Sequence, residues 1–251
     1  MNIGVYGDSF SVAASHRPDA DYQLSAKSFH WSTIVQSKLN ALATNFGHAS
    51  SSLYHSYKEF LKNYTKHDLI IFAVTHPDRY TKRFNWCDKP KNIINNGYIS
   101  NYETVINFKN KATNEQDKKM LTHLEGWYIM SNSVYNNDMH ELMLQHMESL
   151  HKNIIFYPCF ENSFLPLRYS QSNFPESHDM YSLLKRQMKL LNYSGNIDTP
   201  NENKKVIAGH LVPEMNEYVA EAMIAKIVTG DWKFSNLDNL TLKNPVTYYY
   251  N

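Results

Sequence analysis

The chain has 251 residues, a formal net charge of +1 at pH 7 and 20% charged residues. Because these charges nearly cancel, the composition indicates neither a nucleic-acid partner nor attraction to an anionic membrane surface. Hydrophobic residues make up 42% of the chain, as in an ordinary folded domain, so extended disorder is not expected.

Targeting signals are absent from the sequence pattern. No apolar run approaches the roughly 20 residues that a membrane-spanning helix needs. The first apolar residues are interrupted at Asp8, Ser9 and Ser11, so no signal-peptide core is predicted. We therefore expect a cytoplasmic protein, with a place in a virus particle as the alternative. Cys87 and Cys159 are far apart, and the sequence leaves open whether they are free thiols or a disulfide.

The first part of the chain shows a short apolar strand, a helix, a short segment, a second helix and a second strand. These predicted elements cover residues 2–6, 28–42, 45–47, 53–64 and 68–74. Ser28 is the predicted N-cap of the first helix, whose apolar residues recur at helical spacing. The continuous apolar run from 68 to 74 is typical of a strand that is buried on both faces of a parallel sheet.

The rest of the chain alternates irregular segments with clear elements. Residues 77–112 lack periodicity and are interpreted as an insertion near the edge of the sheet. Two helices are predicted within 114–151, broken near Asn132 or Asn136-Asn137. A strand is predicted at 153–157 and ends at Pro158. An irregular segment follows at 161–177, and helices are predicted at 179–191 and 214–228. The chain then continues as a polar and aromatic tail.

Strands that alternate with helices predict an α/β fold, a three-layer α/β/α sandwich around a mostly parallel, flavodoxin-like sheet. We predict one domain over 1–230, with the insertion at about 77–112 and a tail at 231–251 packed on or extending from it. In such sheets the functional residues gather beyond the carboxyl ends of the strands. Ser9, the segment from Thr75 and the segment after Pro158 all lie at such ends.

Gly7-Asp8-Ser9-Phe10 directly follows the first strand. A serine on a tight turn at the sheet edge is exposed for attack, and Gly7 permits that turn. The alternative is that Asp8 and Ser9 only cap a turn. The Gly-x-Ser-x-Gly pattern of α/β-hydrolases does not occur.

In these features the chain resembles the SGNH (GDSL-type) serine hydrolases, which carry Gly-Asp-Ser at the end of the first strand. They also carry a catalytic histidine just before the last helix, and the segment from Gly209 to Ala220 is similar to that block. Its His210 is followed six residues later by Asn216. The resemblance implies that Ser9 is the nucleophile and that His210 is the general base.

The same resemblance implies an oxyanion hole formed by the backbone N–H groups of Ser9 and Ser50. Ser50 lies in the stretch 45–51, which also contains Gly47, and the alternative for this stretch is a helix N-cap in a serine-rich turn. Two positions depart from the family. The asparagine that the family places after its third strand is missing, so Thr75, His76 or Arg79 would have to replace that donor, or the hole has only two members. Gly47, Thr75 and His76 are the candidate oxyanion or substrate contacts. The acid that lies three residues before the histidine is replaced by Ile207.

No cofactor, metal or nucleotide site is predicted. His140 and His146 lie six residues apart, so they do not share a helix face as zinc ligands would, and a solvated face is expected instead. The predicted function is a serine-dependent ester hydrolase of the esterase or carbohydrate deacetylase type. Its expected substrate is a small acyl ester or an acetylated glycan, without nucleic acid or membrane. The alternative is a non-catalytic SGNH-like binding or structural module, for example one that belongs to a virus particle.

Overall fold

The computed structural model describes residues 1–12, 29–48, 51–77, 105–106, 109–110, 112–113, 115–130, 133–160, 174–190 and 211–242. The predictions made for Ser50, for His210 and for most of the 77–112 insertion lie outside these residues, as does the side chain of Ser9. No helix in the described part of the chain combines the length and the hydropathy of a membrane span.

The described strands form a four-stranded sheet in the order β2-β1-β3-β4, and all neighbouring pairs are parallel. Their bounds are Asn2–Tyr6 (β1), Leu42–Asn45 (β2), Leu69–Val74 (β3) and Ile154–Pro158 (β4). From β1 the chain continues to β2, which lies on one side of β1 in the strand order, and then to β3, which lies on the other side of β1. In such sheets the change of direction opens a crevice beyond the carboxyl ends of the two central strands, where ligands bind.

Six helices are described, and together with the sheet they make three layers. Their bounds are Trp31–Lys38 (α1), Leu53–Asn63 (α2), Glu115–Met130 (α3), Ser133–Leu150 (α4), Met180–Leu190 (α5) and Pro213–Thr229 (α6). The helix α6 has Pro at its start and ends at Gly230, which adopts the left-handed conformation at φ 80°. Both are residues that these positions favour.

Alternating side chains of the strands feed two apolar cores. In β3, the side chain of Ile71 joins the core under α1, α5 and α6, while that of Phe72 joins the core under α2 and α4. Trp31 is the largest buried side chain of the first core, and Tyr6 and Phe60 are the largest of the second. The predicted three-layer α/β/α sandwich with a parallel sheet is therefore confirmed.

Two details of the prediction were wrong. The first helix ends at Lys38 rather than at residue 42, because Asn40 turns the chain at φ 47° and Leu42 starts the edge strand β2. Its N-cap is His30, whose ring accepts the Ser32 N–H, and not Ser28. Of the two predicted break points, Asn136-Asn137 lies within α4, while Asn132 lies outside the described residues.

Candidate active site

The turn that carries Ser9 is built on Gly7. Gly7 has a φ of 143°, and a Cβ there would meet the Ser11 Oγ and lie 2.8 Å from the Ala73 carbonyl oxygen. A side chain at this position would therefore be strained and would collide with β3. The chain continues into a short 3-10 helix, Ser9–Ser11, in which the Ser11 N–H donates to the Asp8 carbonyl at 3.0 Å. The sequence thus forms a tight turn directly at the end of β1.

Asp8 is fully buried beneath this turn and accepts hydrogen bonds from three segments. Its Oδ1 accepts the Phe10 N–H at 3.0 Å and faces the Cys159 Sγ at 3.5 Å. Its Oδ2 accepts the Thr75 hydroxyl at 2.8 Å. A buried carboxylate requires such donors, since burial without them costs several kcal/mol. Asp8 therefore ties the turn to the ends of β3 and β4.

The two residues that follow β3 have different surroundings. Thr75 is buried, and its single hydroxyl hydrogen is used by Asp8. His76 is half-buried, and its ring packs edge to face on Phe160 with the ring centroids 5.9 Å apart. Phe160 packs in the same way on Phe10, the residue after Ser9, at 6.0 Å. Of these two candidate contacts, Thr75 supports the turn from below and His76 lies beside it.

The segment after β2 packs against the same turn. The His48 N–H donates to the Gly7 carbonyl at 3.0 Å, as does the Ser51 hydroxyl. Gly47 lies so close that a Cβ on it would be 2.8 Å from the Ser11 Cβ. The Gly47 N–H donates to the Asn45 Oδ1 at 2.8 Å, and the Asn45 amide donates in turn to the Ser11 carbonyl. Gly47 therefore allows two backbone segments to approach each other closely.

The segment that follows His210 is held by buried side chains. The Val212 N–H donates to the Gln187 Oε1 at 2.7 Å, and Gln187 is fully buried in α5. The Asn216 Nδ2 donates to the Leu211 carbonyl at 2.8 Å and to the Val212 carbonyl at 3.2 Å. The chain therefore enters α6 in a fixed position at the residue next to the predicted base.

Trp31 connects the two regions. Its indole Nε1–H donates to the Phe10 carbonyl at 2.8 Å, and its backbone N–H donates to the Asn216 Oδ1 at 3.1 Å. The His30 Nε2 is 3.0 Å from the same Phe10 carbonyl. Because the His30 Nδ1 accepts the Ser32 N–H, its Nε2 carries the proton and donates to Phe10. Sequence reasoning assigned Trp31 only to an apolar helix face, and no sequence pattern relates it to Asn216.

A buried histidine lies on the other side of β3. His140 is 4% exposed, and its Nδ1 has no hydrogen-bond partner among the described residues. Burial, with a smaller contribution from His76, lowers its pKa from 6.5 to about 3. The expectation of a solvated face was wrong for His140, because this face of α4 packs on the sheet. His146 instead bonds to the Tyr57 hydroxyl at 2.5 Å, and no cluster of three metal-ligating side chains occurs in the described ranges.

Comparison with known proteins gives structural likenesses alone. No protein-family profile matches the sequence, and no curated protein matches it. One similar solved structure is a putative lipolytic protein of the GDSL family from Desulfitobacterium hafniense DCB-2, with 12% identity and a TM-score of 0.36, covering 88% of this chain and 98% of that one. Another is the acetyl xylan esterase AlAXEase, with 11% identity and a TM-score of 0.35, covering 91% and 100%.

A third is a lipolytic GDSL-family protein from Veillonella parvula DSM 2008, with 11% identity and a TM-score of 0.34, covering 91% of this chain and 98% of that one. The likenesses are distant, so the roles assigned to individual residues depend on the contacts of this chain.

Proposed function

We propose that the chain is a serine-dependent ester hydrolase in which Ser9 is the nucleophile and His210 is the general base. The observation that supports this most is the chain of hydrogen bonds from Phe10 through Trp31 and Asn216 to Leu211. Phe10 follows Ser9 and Leu211 follows His210, so residues 201 positions apart have immediate neighbours that share one buried network. Proton transfer requires the nucleophile and the base to lie within hydrogen-bond reach, and a buried network that joins their neighbours supports that placement.

The chemistry proceeds in two steps. The Ser9 oxygen attacks the acyl carbonyl while the His210 imidazole takes its proton, and the alcohol then leaves with that proton. Water repeats the sequence on the acyl-enzyme, releasing the acid and restoring Ser9. The backbone N–H groups of Ser9 and Ser50 are the proposed donors to the oxyanion.

The third oxyanion donor of the family has a candidate replacement in His76. The Thr75 hydroxyl is bonded to Asp8, so it has no second hydrogen for an oxyanion. His76 follows β3, next to the strand that leads to Ser9, and its ring lies beside the turn through its contact with Phe160. His76 is therefore the side chain that we assign to the carbonyl oxygen. Gly47 acts through its close approach to the turn.

The expected substrate is an ester of a small acyl group, with an acetylated glycan as the first to test. Phe10 and Phe160 place two aromatic rings edge to face beside the turn, and this apolar bulk next to the nucleophile suits a short acyl chain. The preference for a glycan comes from the family resemblance alone. A cytoplasmic or virus-particle location and the domain limits 1–230 stay predictions.

The test is reaction with a fluorophosphonate probe together with hydrolysis of p-nitrophenyl acetate. We expect the folded chain to be labelled and active, and Ser9→Ala to abolish both. His210→Ala should reduce both by a factor of about a thousand or more. Ser37→Ala, which changes an exposed serine on α1, is the matched control and should retain both. A folded protein that is neither labelled nor active would contradict the proposal and favour the non-catalytic module.

A further inference from the structure

Trp31 and Asn216 form a continuous connection between the backbone beside Ser9 and the backbone beside His210. From the Phe10 carbonyl the connection runs through the Trp31 indole to the Trp31 N–H, then through the Asn216 amide to the Leu211 carbonyl. The three hydrogen bonds measure 2.8, 3.1 and 2.8 Å. We refer to Trp31 and Asn216 together as the Trp-Asn connection.

The connection is buried along its length. Trp31 is fully buried, Asn216 is 8% exposed, and Phe10 and Leu211 are each 7% exposed. Water therefore has little access to replace these bonds, so breaking one leaves a buried donor or acceptor without a partner. Buried bonds of this kind fix geometry more strongly than bonds at the surface do.

The chemistry of Asn216 matches this position. Its Oδ1 accepts the N–H of Trp31, the first residue of α1, which has no acceptor within its own helix. Its Nδ2 donates to Leu211 and Val212, where the chain enters α6. The amide of asparagine offers an acceptor and two donor hydrogens, whereas a carboxylate has no donor and the hydroxyl of serine or threonine has only one.

We propose that Trp31 and Asn216 are positioning residues that set the separation of Ser9 and His210. The inference rests on the proposed function, because Trp31 and Asn216 can position a catalytic pair only if Ser9 and His210 react together. Both side chains are buried, so the role that we assign to them is to hold the backbone rather than to contact the substrate. Their loss should therefore move the nucleophile and the base apart while the substrate contacts stay in place.

This role predicts a defect in turnover rather than in binding. Small displacements of reacting groups reduce rates up to about a hundredfold. In Asn216→Ala we expect kcat for p-nitrophenyl acetate to fall between about tenfold and a hundredfold, with KM within about twofold of the parent. Trp31→Phe keeps an aromatic ring and removes the indole N–H. Because His30 still donates to the Phe10 carbonyl in Trp31→Phe, kcat should fall less in this variant than in Asn216→Ala.

Val35→Ala is the matched control. Val35 is a buried residue of α1 that lies in the same core as Trp31, but its side chain makes no hydrogen bond. It should lower the melting temperature without changing kcat by more than about twofold. If Asn216→Ala and Trp31→Phe lower kcat no more than Val35→Ala does, the inference is overturned. The double variant of Trp31 and Asn216 should lose little more kcat than Asn216→Ala alone, whereas additive losses would contradict a single connection.

A measurement without substrate separates this inference from the proposed function. Hydrogen exchange followed by mass spectrometry reports how firmly the peptide containing Phe10 is held. We expect faster exchange there in Asn216→Ala and not in Val35→Ala, although Asn216 lies in α6. Unchanged exchange at Phe10 overturns the inference even if Ser9 proves to be the nucleophile. Faster exchange in a protein that the fluorophosphonate does not label would retain the connection as a structural tie, and would overturn both the proposed function and the positioning role.

Discussion

The hydrogen bond from Thr75 to Asp8 offers a direct test of how the turn is held. Thr75→Val replaces the hydroxyl by a methyl group of similar size, so the packing of this 2% exposed side chain is largely kept. The change removes the 2.8 Å hydrogen bond from the Thr75 hydroxyl to the Asp8 Oδ2, an oxygen that is buried. Hydrogen bonds to carboxylates contribute about 1.5–3 kcal/mol, so we expect the free energy of unfolding to fall by about 2 kcal/mol.

Urea and thermal unfolding at pH 7 measure this loss. For a chain of this size, about 2 kcal/mol corresponds to a melting temperature about 4–8 °C lower. Thr44→Val, which changes an exposed threonine on β2, is the matched control and should alter stability by about 0.5 kcal/mol or less. Equal effects of the two substitutions would refute the reasoning, because they would show that Asp8 does not depend on the Thr75 hydroxyl. Thr75→Ser keeps the hydroxyl and should keep most of the stability.

Further substitutions test the backbone of the turn and the buried histidine. Gly7→Ala should cost about 3 kcal/mol or more, measured by urea unfolding, because its Cβ would meet Ser11 and Ala73 at a φ of 143°. Gly126→Ala in α3 has open space for its Cβ and should stabilise the chain by about 0.5–1 kcal/mol, and a loss there would contradict this description of the helix. The pKa of His140 is 6.5 in the unfolded chain and about 3 in the folded chain, so between these values the unfolded chain binds the additional proton. The free energy of unfolding should therefore fall by about 1.4 kcal/mol per pH unit as the pH is lowered from 6 to 4. His140→Leu should flatten that slope in unfolding curves at pH 6, 5 and 4, whereas an unchanged slope would exclude His140 as its source.

The parts of the fold that the sequence predicted are those with a strong local pattern. The apolar runs of β3 and β4 are long enough to be recognised as buried strands, and the sequence of α6 carries both its start and its end signals. The strand β2 was not predicted as a strand. Leu42 continues the helical spacing of α1, and the strand is short and largely exposed. It forms because its backbone pairs with β1, and such pairing leaves little trace in local sequence.

The candidate site likewise has features that the sequence predicted and features that it did not. Gly7 and the turn at Ser9 were predicted from neighbouring residues, and the structure has a 3-10 turn at that place. The partners of the turn could not be predicted, since Thr75 is 67 residues from Asp8 and Asn216 is 185 residues from Trp31. No local sequence pattern marks Thr75 or Asn216 as a hydrogen-bond partner of a distant segment. Only their position in the folded chain shows that their hydrogen bonds reach the two candidate segments.

The sequence departs from the family pattern at Ile207, where the family has the acid that orients its histidine. Ile207 cannot accept a hydrogen bond from an imidazole, so no acid at that position orients His210. The segment after His210 is instead fixed through the backbone, by Gln187 at the Val212 N–H and by Asn216 at the Leu211 carbonyl. Fixing the backbone restricts where the ring can lie, but it does not select a tautomer as an acid would. For the proposed hydrolase we therefore expect a turnover slower than that of an enzyme with a complete triad.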